Sequence, residues 1–298
     1  MDSAGAAAYT KDEMLEAARA AGFSPSGRLL TDWVSLGLLD QATRRGLGRA
    51  KGSRATWPQQ QLNLFLALLE KRPTVSQITP LCNLPVFLWL WFGDEHVPTL
   101  QARRALMTWG GANLHSRSWR AARTAAMNLA GQFAHSDADD EAVERFITVI
   151  ARAIYGAPFD AEAVLAAFRD VFDPHRENRS IGPPQVTFRP EYFVALVKAR
   201  LAALEALRAR IVDDQAFEWA RTEYQATRRE YEQLIPRIAE DPEAVQIFFR
   251  KTPAGVVLPD TTLDDIANHA CADLLTMIGI YLENVAHHDN AAQSSRSS

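Results

Sequence analysis

Apolar residues recur at steps of three and four through nearly the whole chain, a spacing that restricts most of it to amphipathic helices packed on one another. One run does not fit. From Gln41 to Trp57, QATRRGLGRAKGSRATW carries five basic residues, no acidic ones and three glycines. So many glycines in so short a span cost a helix too much backbone entropy, but they suit a hairpin whose return strand is anchored by Trp57. The fold class expected is mainly α, with one small β-hairpin near the N-terminus followed by an all-α helical domain.

The residues before this run read as two short helices. Thr10 and Glu13 stand at capping-box spacing, Met14, Leu15, Ala17, Ala18 and Ala21 form an apolar face, and Gly22 ends it. Ser24, Pro25 and Ser26 begin a second helix, in which Leu29, Leu30, Trp33, Val34 and Leu36 repeat until Gly37. Two short helices joined by a tight turn make a helix-turn-helix candidate. After the hairpin, Pro58 is expected at the first position of a third helix, with Leu62, Phe65, Leu66 and Leu69 buried and Pro73 beyond its end.

Further along, helices are expected over Val86–Phe92, Thr99–Trp109, Ser118–Phe133, Asp139–Tyr155 and Ala161–Phe172. Asp173 to Pro190 is rich in Pro, Gly and polar side chains and reads as an irregular connection. Glu191–Ile235 reads as one long helix or a pair broken near Asp213–Asp214. Within it Phe217, Ala220, Tyr224, Thr227, Tyr231 and Leu234 trace a seam, either of a dimer or of a helix pair within the chain. A last helix from Thr262 to Val285 precedes a polar tail expected to be disordered. No repeat and no further strand-rich region is found.

The formal charge of −4 over 298 residues rules out a surface that is basic all round, so any binding of nucleic acid must be local. The two cysteines are far apart and the N-terminus lacks the apolar core of a secretory signal, which points to a reducing cytoplasm. The most apolar window, LPVFLWLWF, has nine residues, about half of the roughly 20 that cross a bilayer, so no membrane partner is expected. Arginine outnumbers lysine and alanine is abundant, a bias suggestive of a GC-rich bacterial genome.

The N-terminal residues resemble the MerR-type winged helix-turn-helix, a family of bacterial transcription regulators. The resemblance rests on Trp33, Gly37-Leu38-Leu39, the basic run Arg44 to Arg54 with Gly52-Ser53, and Trp57, and it spans about Tyr9 to Arg72, roughly a quarter of the chain. Beyond it no family is recognised, and the helical pattern gives an all-α domain over 73–286 for dimerisation, effector or partner binding and a tail over 287–298; the resemblance implies a DNA-binding domain over 9–72. It also implies a recognition helix in the major groove and a basic wing on the adjacent backbone. The DNA-binding candidates are Ser24, Ser26, Arg28 and Thr31 at the second helix, and Arg44, Arg45, Arg49, Lys51 and Arg54 in the wing. The sequence departs from the family at Thr31 and Asp32, where an arginine and an aromatic are usual. Asp32 repels phosphate unless it faces a basic neighbour or accepts from a cytosine amino group.

The expected partners are double-stranded DNA and a second copy of the chain, with a small-molecule effector or the transcription machinery open to the helical domain. Two other readings fit the same residues: an architectural, partition or recombination-directionality DNA-binding protein, and a helical adaptor or ligand-binding protein. Pro85, Phe87, Trp89, Trp91, Phe92, Trp109 and Trp119 are expected to fill core rather than to line a pocket. His269 and Cys271, with Asp264, Asp265, His287 and His288, lack paired ligand spacing and are not expected to hold a metal. Asp137, Asp139, Asp140 and Glu141 are expected to cap a helix. No phosphate-cradling loop, nucleophile elbow or zinc-protease motif is present, so neither enzymatic activity nor a cofactor is expected.

Overall fold

The computed structural model describes residues 7–46, 53–74, 77–114, 118–181, 188–238, 240, 250–251, 257–258 and 263–296. It is mainly helical, with a small three-stranded antiparallel sheet. The chain divides into two compact units, Met1–Trp109 with Ala267–Cys271, and Gly110–Ile266 with Ala272–Ser298. The first unit therefore runs past residue 72, where the sequence suggests a boundary.

Helix α1 (Lys11–Ala20) starts on the expected capping box, in which the Thr10 amide donates to the Glu13 carboxylate at 2.6 Å and the Glu13 amide donates to the Thr10 hydroxyl at 3.4 Å. Gly22, at φ +89°, turns the chain toward α2 (Gly27–Leu36), whose N-cap Ser26 accepts from the Leu29 amide at 3.2 Å. Gly37 closes α2 in the left-handed conformation, φ +81°. A side chain there is doubly excluded, because a Cβ would stand 2.7 Å from the Arg104 carbonyl carbon and closer still to the Ala105 nitrogen.

Strands β2 (Thr43–Gly46) and β3 (Ser53–Pro58) form the expected hairpin, with Arg44 opposite Ala55 and Arg45 opposite Arg54. The tip, with Arg49 and Lys51, lies outside the described residues, as does the side chain of Arg45. Trp57 is buried and its indole N–H donates to the Asp40 carbonyl at 2.8 Å. A third strand, β1 (Ala8–Tyr9), pairs with β3 and makes it central, which the sequence reading missed because two residues carry no alternation. This pairing also corrects Pro58: it lies opposite Ala8, stays extended and becomes the N-cap, so α3 (Gln59–Lys71) begins one residue later than expected.

Helices α4 (Asn83–Phe92) and α5 (Thr99–Leu114) complete the first unit, except that the end of α5 from Gly110 belongs to the second. Successive residues of a helix point about 100° apart, so the unbroken apolar run of α4 cannot face one core throughout. Pro85 and Trp89 are buried while Trp91 and Phe92 are exposed. The expectation that all the aromatics fill core is corrected at these two and at Trp119, also exposed. The unit's core gathers Met14, Leu30, Trp33, Leu39, Phe65 and Leu68, with Trp33 edge-on to Phe65 at 5.6 Å. Each such side chain contributes about 1.5–3 kcal/mol on burial, well above an exposed ion pair.

In the second unit, α6 (Trp119–Phe133), α7 (Asp140–Tyr155), α8 (Ala161–Phe172) and α9 (Pro190–Arg208) pack in sequence order. Ser118, Asp139 and Asp160 cap the first three of these helices. Phe133, Phe168, Phe188 and Phe193 form their aromatic centre, Phe188 being held by a bridge to Ile181 across the irregular connection. Helix α10 (Asp214–Ile238) follows a break near the expected position, with the Ala216 amide donating to Asp213.

Phe217, Ala220 and Tyr224 of the seam are buried within the chain, so this part serves an internal helix contact rather than a surface free for a second copy. Thr227 is exposed, and the side chains of Tyr231 and Leu234 lie outside the described residues. Two-residue strands β4 (Arg250–Lys251) and β5 (Val257–Leu258) add a second small hairpin. Helix α11 (Leu263–Arg296) continues beyond Val285 into the stretch expected to be disordered, the alanine pair there giving no signal to stop. Cys82 and Cys271 are buried thiols rather than a disulfide, and burial pushes the Cys82 thiol up to about 12.

Two glycines of the second unit separate close packing from simple helix propensity. A Cβ at Gly279 would stand 2.7 Å from Ala199 Cα and closer to its carbonyl, whereas one at Gly131 meets nothing within 4 Å. In urea unfolding, Gly279→Ala is expected to lower stability by about 2 kcal/mol or more, and Gly131→Ala to raise it by up to about 1 kcal/mol.

Candidate nucleic-acid interface

The stripe of α2 that faces away from the core is set by helical spacing. With Leu29, Leu30 and Trp33 buried, Arg28, Thr31, Asp32 and Ser35 are exposed on successive turns, and Ser24 is exposed just before the helix. Arg28 is 90% exposed and its Nε lies 3.7 Å from Asp32 Oδ2. Asp32 thus has the basic neighbour that a phosphate-facing acid requires. Such an exposed pair contributes about 0.3–0.5 kcal/mol and exchanges readily with another anion.

Other candidates have internal bonds as well. Ser26 Oγ accepts from the Leu29 amide, so its oxygen serves the cap while its proton is free to donate outward. Thr31 Oγ1 donates to the Gly27 carbonyl at 3.2 Å and accepts from Lys11 Nζ at 3.4 Å. The sequence reading missed Lys11. Its signal is a cation in the first turn of α1, where the helix dipole disfavours it, and its stem lies so close to Gly27 that a Cβ there would be 2.9 Å from Lys11 Cε.

On the hairpin, Arg44 and Arg54 are exposed. The Arg54 guanidinium donates to Glu13 Oε1 at 3.0 Å, which ties the hairpin to the start of α1. Glu13 therefore serves both its helix cap and Arg54. Its carboxyl is held below the usual glutamate range, chiefly by the Thr10 amide, then by the Thr10 hydroxyl and less by Arg54. The structure thus brings Lys11, Arg28, Thr31, Arg44 and Arg54 into one small unit.

The second unit contains an open cleft of about 550 Å³ lined by Arg169, Arg176, Arg179, Arg189, Asp173 and Glu191. Arg169 is paired with Glu191 and Arg176 with Asp170. His269 is exposed on α11, whereas the side chains of Asp264, Asp265, His287 and His288 lie outside the described residues. Among the described residues, no helix is long and apolar enough to cross a membrane. Comparison with protein-family models, curated proteins and solved structures finds no match to the chain.

The lowered Glu13 pKa gives a pH test with a defined sign. Its stabilising effect is present above the ordinary glutamate range and is lost as pH falls through the lowered folded value. Carboxyl titration by NMR is expected to show Arg54→Ala raising the Glu13 midpoint only part of the way to normal, because the Thr10 amide is the larger cause.

Proposed function

We propose that the protein is a bacterial, cytoplasmic, sequence-specific DNA-binding regulator without enzymatic activity. Its first unit reads duplex DNA as a MerR-like winged helix-turn-helix. The single observation that carries this reading is that an exposed polar stripe on α2 and the exposed arginines of the β2–β3 hairpin belong to the same small unit of an otherwise acidic chain. In this reading α2 enters the major groove, with Arg28 and Thr31 toward the DNA and Ser24 and Ser26 at its N-terminal end. The hairpin is the wing. Arg44, Arg45, Arg49, Lys51 and Arg54 lie along the adjacent phosphates, where each neutralised charge releases counterions.

Two copies on paired half-sites about 34–36 Å apart give the affinity that one small reading head lacks. The second unit supplies the contact between copies, the response to an effector, or the contact with the transcription machinery. The Arg28–Asp32 and Arg54–Glu13 pairs act as placeholders for phosphate in the free protein, easily opened because both are exposed.

Fluorescence anisotropy on duplex DNA across a salt series tests the proposal. Wild type is expected to bind with a steep negative slope of log affinity against log salt, reduced by up to about 1.8 in Arg44→Ala/Arg54→Ala at about 0.9 for each phosphate no longer neutralised. Glu13→Gln, which releases Arg54 from its carboxylate, is expected to bind more tightly. No binding even at about 50 mM salt, or binding indifferent to salt, overturns the reading.

A further inference from the structure

In the second unit, the connections α6–α7 and α8–α9 bring together two histidines and a carboxylate that the helical pattern gives no reason to pair. We propose that His135, Asp137 and His175 form a binding site for a divalent transition-metal ion, with zinc(II) as the favoured occupant. One ligand atom from each lies within 4.8 Å of the other two. His175 Nε2 is 3.1 Å from Asp137 Oδ2, His135 Nδ1 is 3.9 Å from the same oxygen, and the two imidazoles meet edge to face at 5.7 Å.

The chemistry suits zinc. Two neutral imidazoles and one carboxylate are borderline ligands of the kind zinc accepts at about 2.0–2.2 Å, with a fourth position left to water or another ligand. Donors around a tetrahedral ion at such distances stand about 3.4 Å apart, so the spacing here closes with side-chain rotation alone. The ion takes the place of the hydrogen bond between His175 Nε2 and Asp137 Oδ2. His135 Nδ1 accepts from the Asp137 amide at 3.1 Å, and on metal binding this lone pair turns from the amide to the ion.

The backbone around the ligands is fixed before any ion arrives. The His135 amide donates to the Val171 carbonyl at 2.8 Å, which fastens the α6–α7 connection to the end of α8. On the other side, the Arg176 amide donates to the Asp173 carbonyl at 3.1 Å and the Glu177 amide to Asp173 Oδ1 at 3.0 Å, enclosing His175 in a tight turn. Arg179 joins the two sides, donating to the last carbonyl of α8 at 2.6 Å and reaching that of α6 at 3.5 Å, with its guanidinium 4.4 Å above the Phe172 ring. A bound ion cross-links two connections already held in register, so little ordering entropy opposes it.

This inference is independent of DNA binding. It is tested by isothermal titration of the full chain with zinc chloride at neutral pH, using a His287→Ala/His288→Ala background to silence the tail histidines. One saturable equivalent is expected. His175→Ala, an exposed change on the α8–α9 connection, is expected to weaken it by more than the roughly 10–100-fold that an outer-shell partner costs, and Asp137→Asn likewise. Zinc is expected to raise the unfolding temperature of the background protein but not of His175→Ala, whose circular dichroism stays unchanged. No zinc uptake by the background protein overturns the site. Uptake that survives His135→Ala/His175→Ala at the original affinity overturns it equally.

Discussion

Two glutamine side chains, Gln61 on α3 and Gln101 on α5, lie in the interior of the first unit with almost no exposure, and the placement of its other elements depends on their amides. Gln61 Nε2 donates to Gln101 Oε1 at 2.7 Å, Gln101 Nε2 to the Leu38 carbonyl at 3.0 Å, and the Asp40 amide to Gln61 Oε1 at 2.8 Å. Asp40 in turn accepts the Trp57 indole on its carbonyl and Arg104 on its carboxylate. The exit of α2, the base of the hairpin and helices α3 and α5 therefore share one hydrogen-bonded chain. Loss of any member leaves a buried polar group unsatisfied, at about 1–3 kcal/mol.

The same region explains why α5 belongs with the N-terminal elements. The absent side chain of Gly37 lets the α5 backbone approach, and the Leu36 carbonyl at the end of α2 accepts from the Thr108 hydroxyl at 3.0 Å and from the Cys82 thiol at 3.8 Å. The angle at which α2 presents its outer stripe is consequently set by a helix downstream, through hydrogen bonds such as Gln101 to Leu38 and Thr108 to Leu36, which span 63 and 72 residues. A helix supported in this way is held more rigidly than two short helices hold one another.

Electrostatics on the exposed face follows another rule. Arg28 and Arg54 each have a carboxylate neighbour, and both pairs are wet, so neither contributes much to folding. In the proposed DNA-binding reading, a carboxylate beside each cation lowers the potential felt by a weak anion, while a polyanion presenting several phosphates in register is expected to compete for the cations.

Local signals in the sequence determined the helices, their caps and the hairpin. The Thr10–Glu13 box, Ser26, Gly37 and the span Ala161–Phe172 were all legible, because helix starts and stops depend on groups within about four residues of each other. Most candidate residues of α2 were legible for the same reason, since burial of Leu30 and Trp33 obliges Arg28 and Thr31 to face outward. What only tertiary structure decided are the pairings at long separation. Gln61 could be read as a polar residue on an apolar face, but not as the partner of Gln101, 40 residues away, nor could Arg54 be matched to Glu13 at 41. The pairing of Ala8–Tyr9 with β3 and the meeting of His135 with His175 were equally hidden. A side chain's partner across the fold leaves no periodic mark on either segment, because it is fixed by how packed helices and strands come to rest rather than by the turn in which the residue sits.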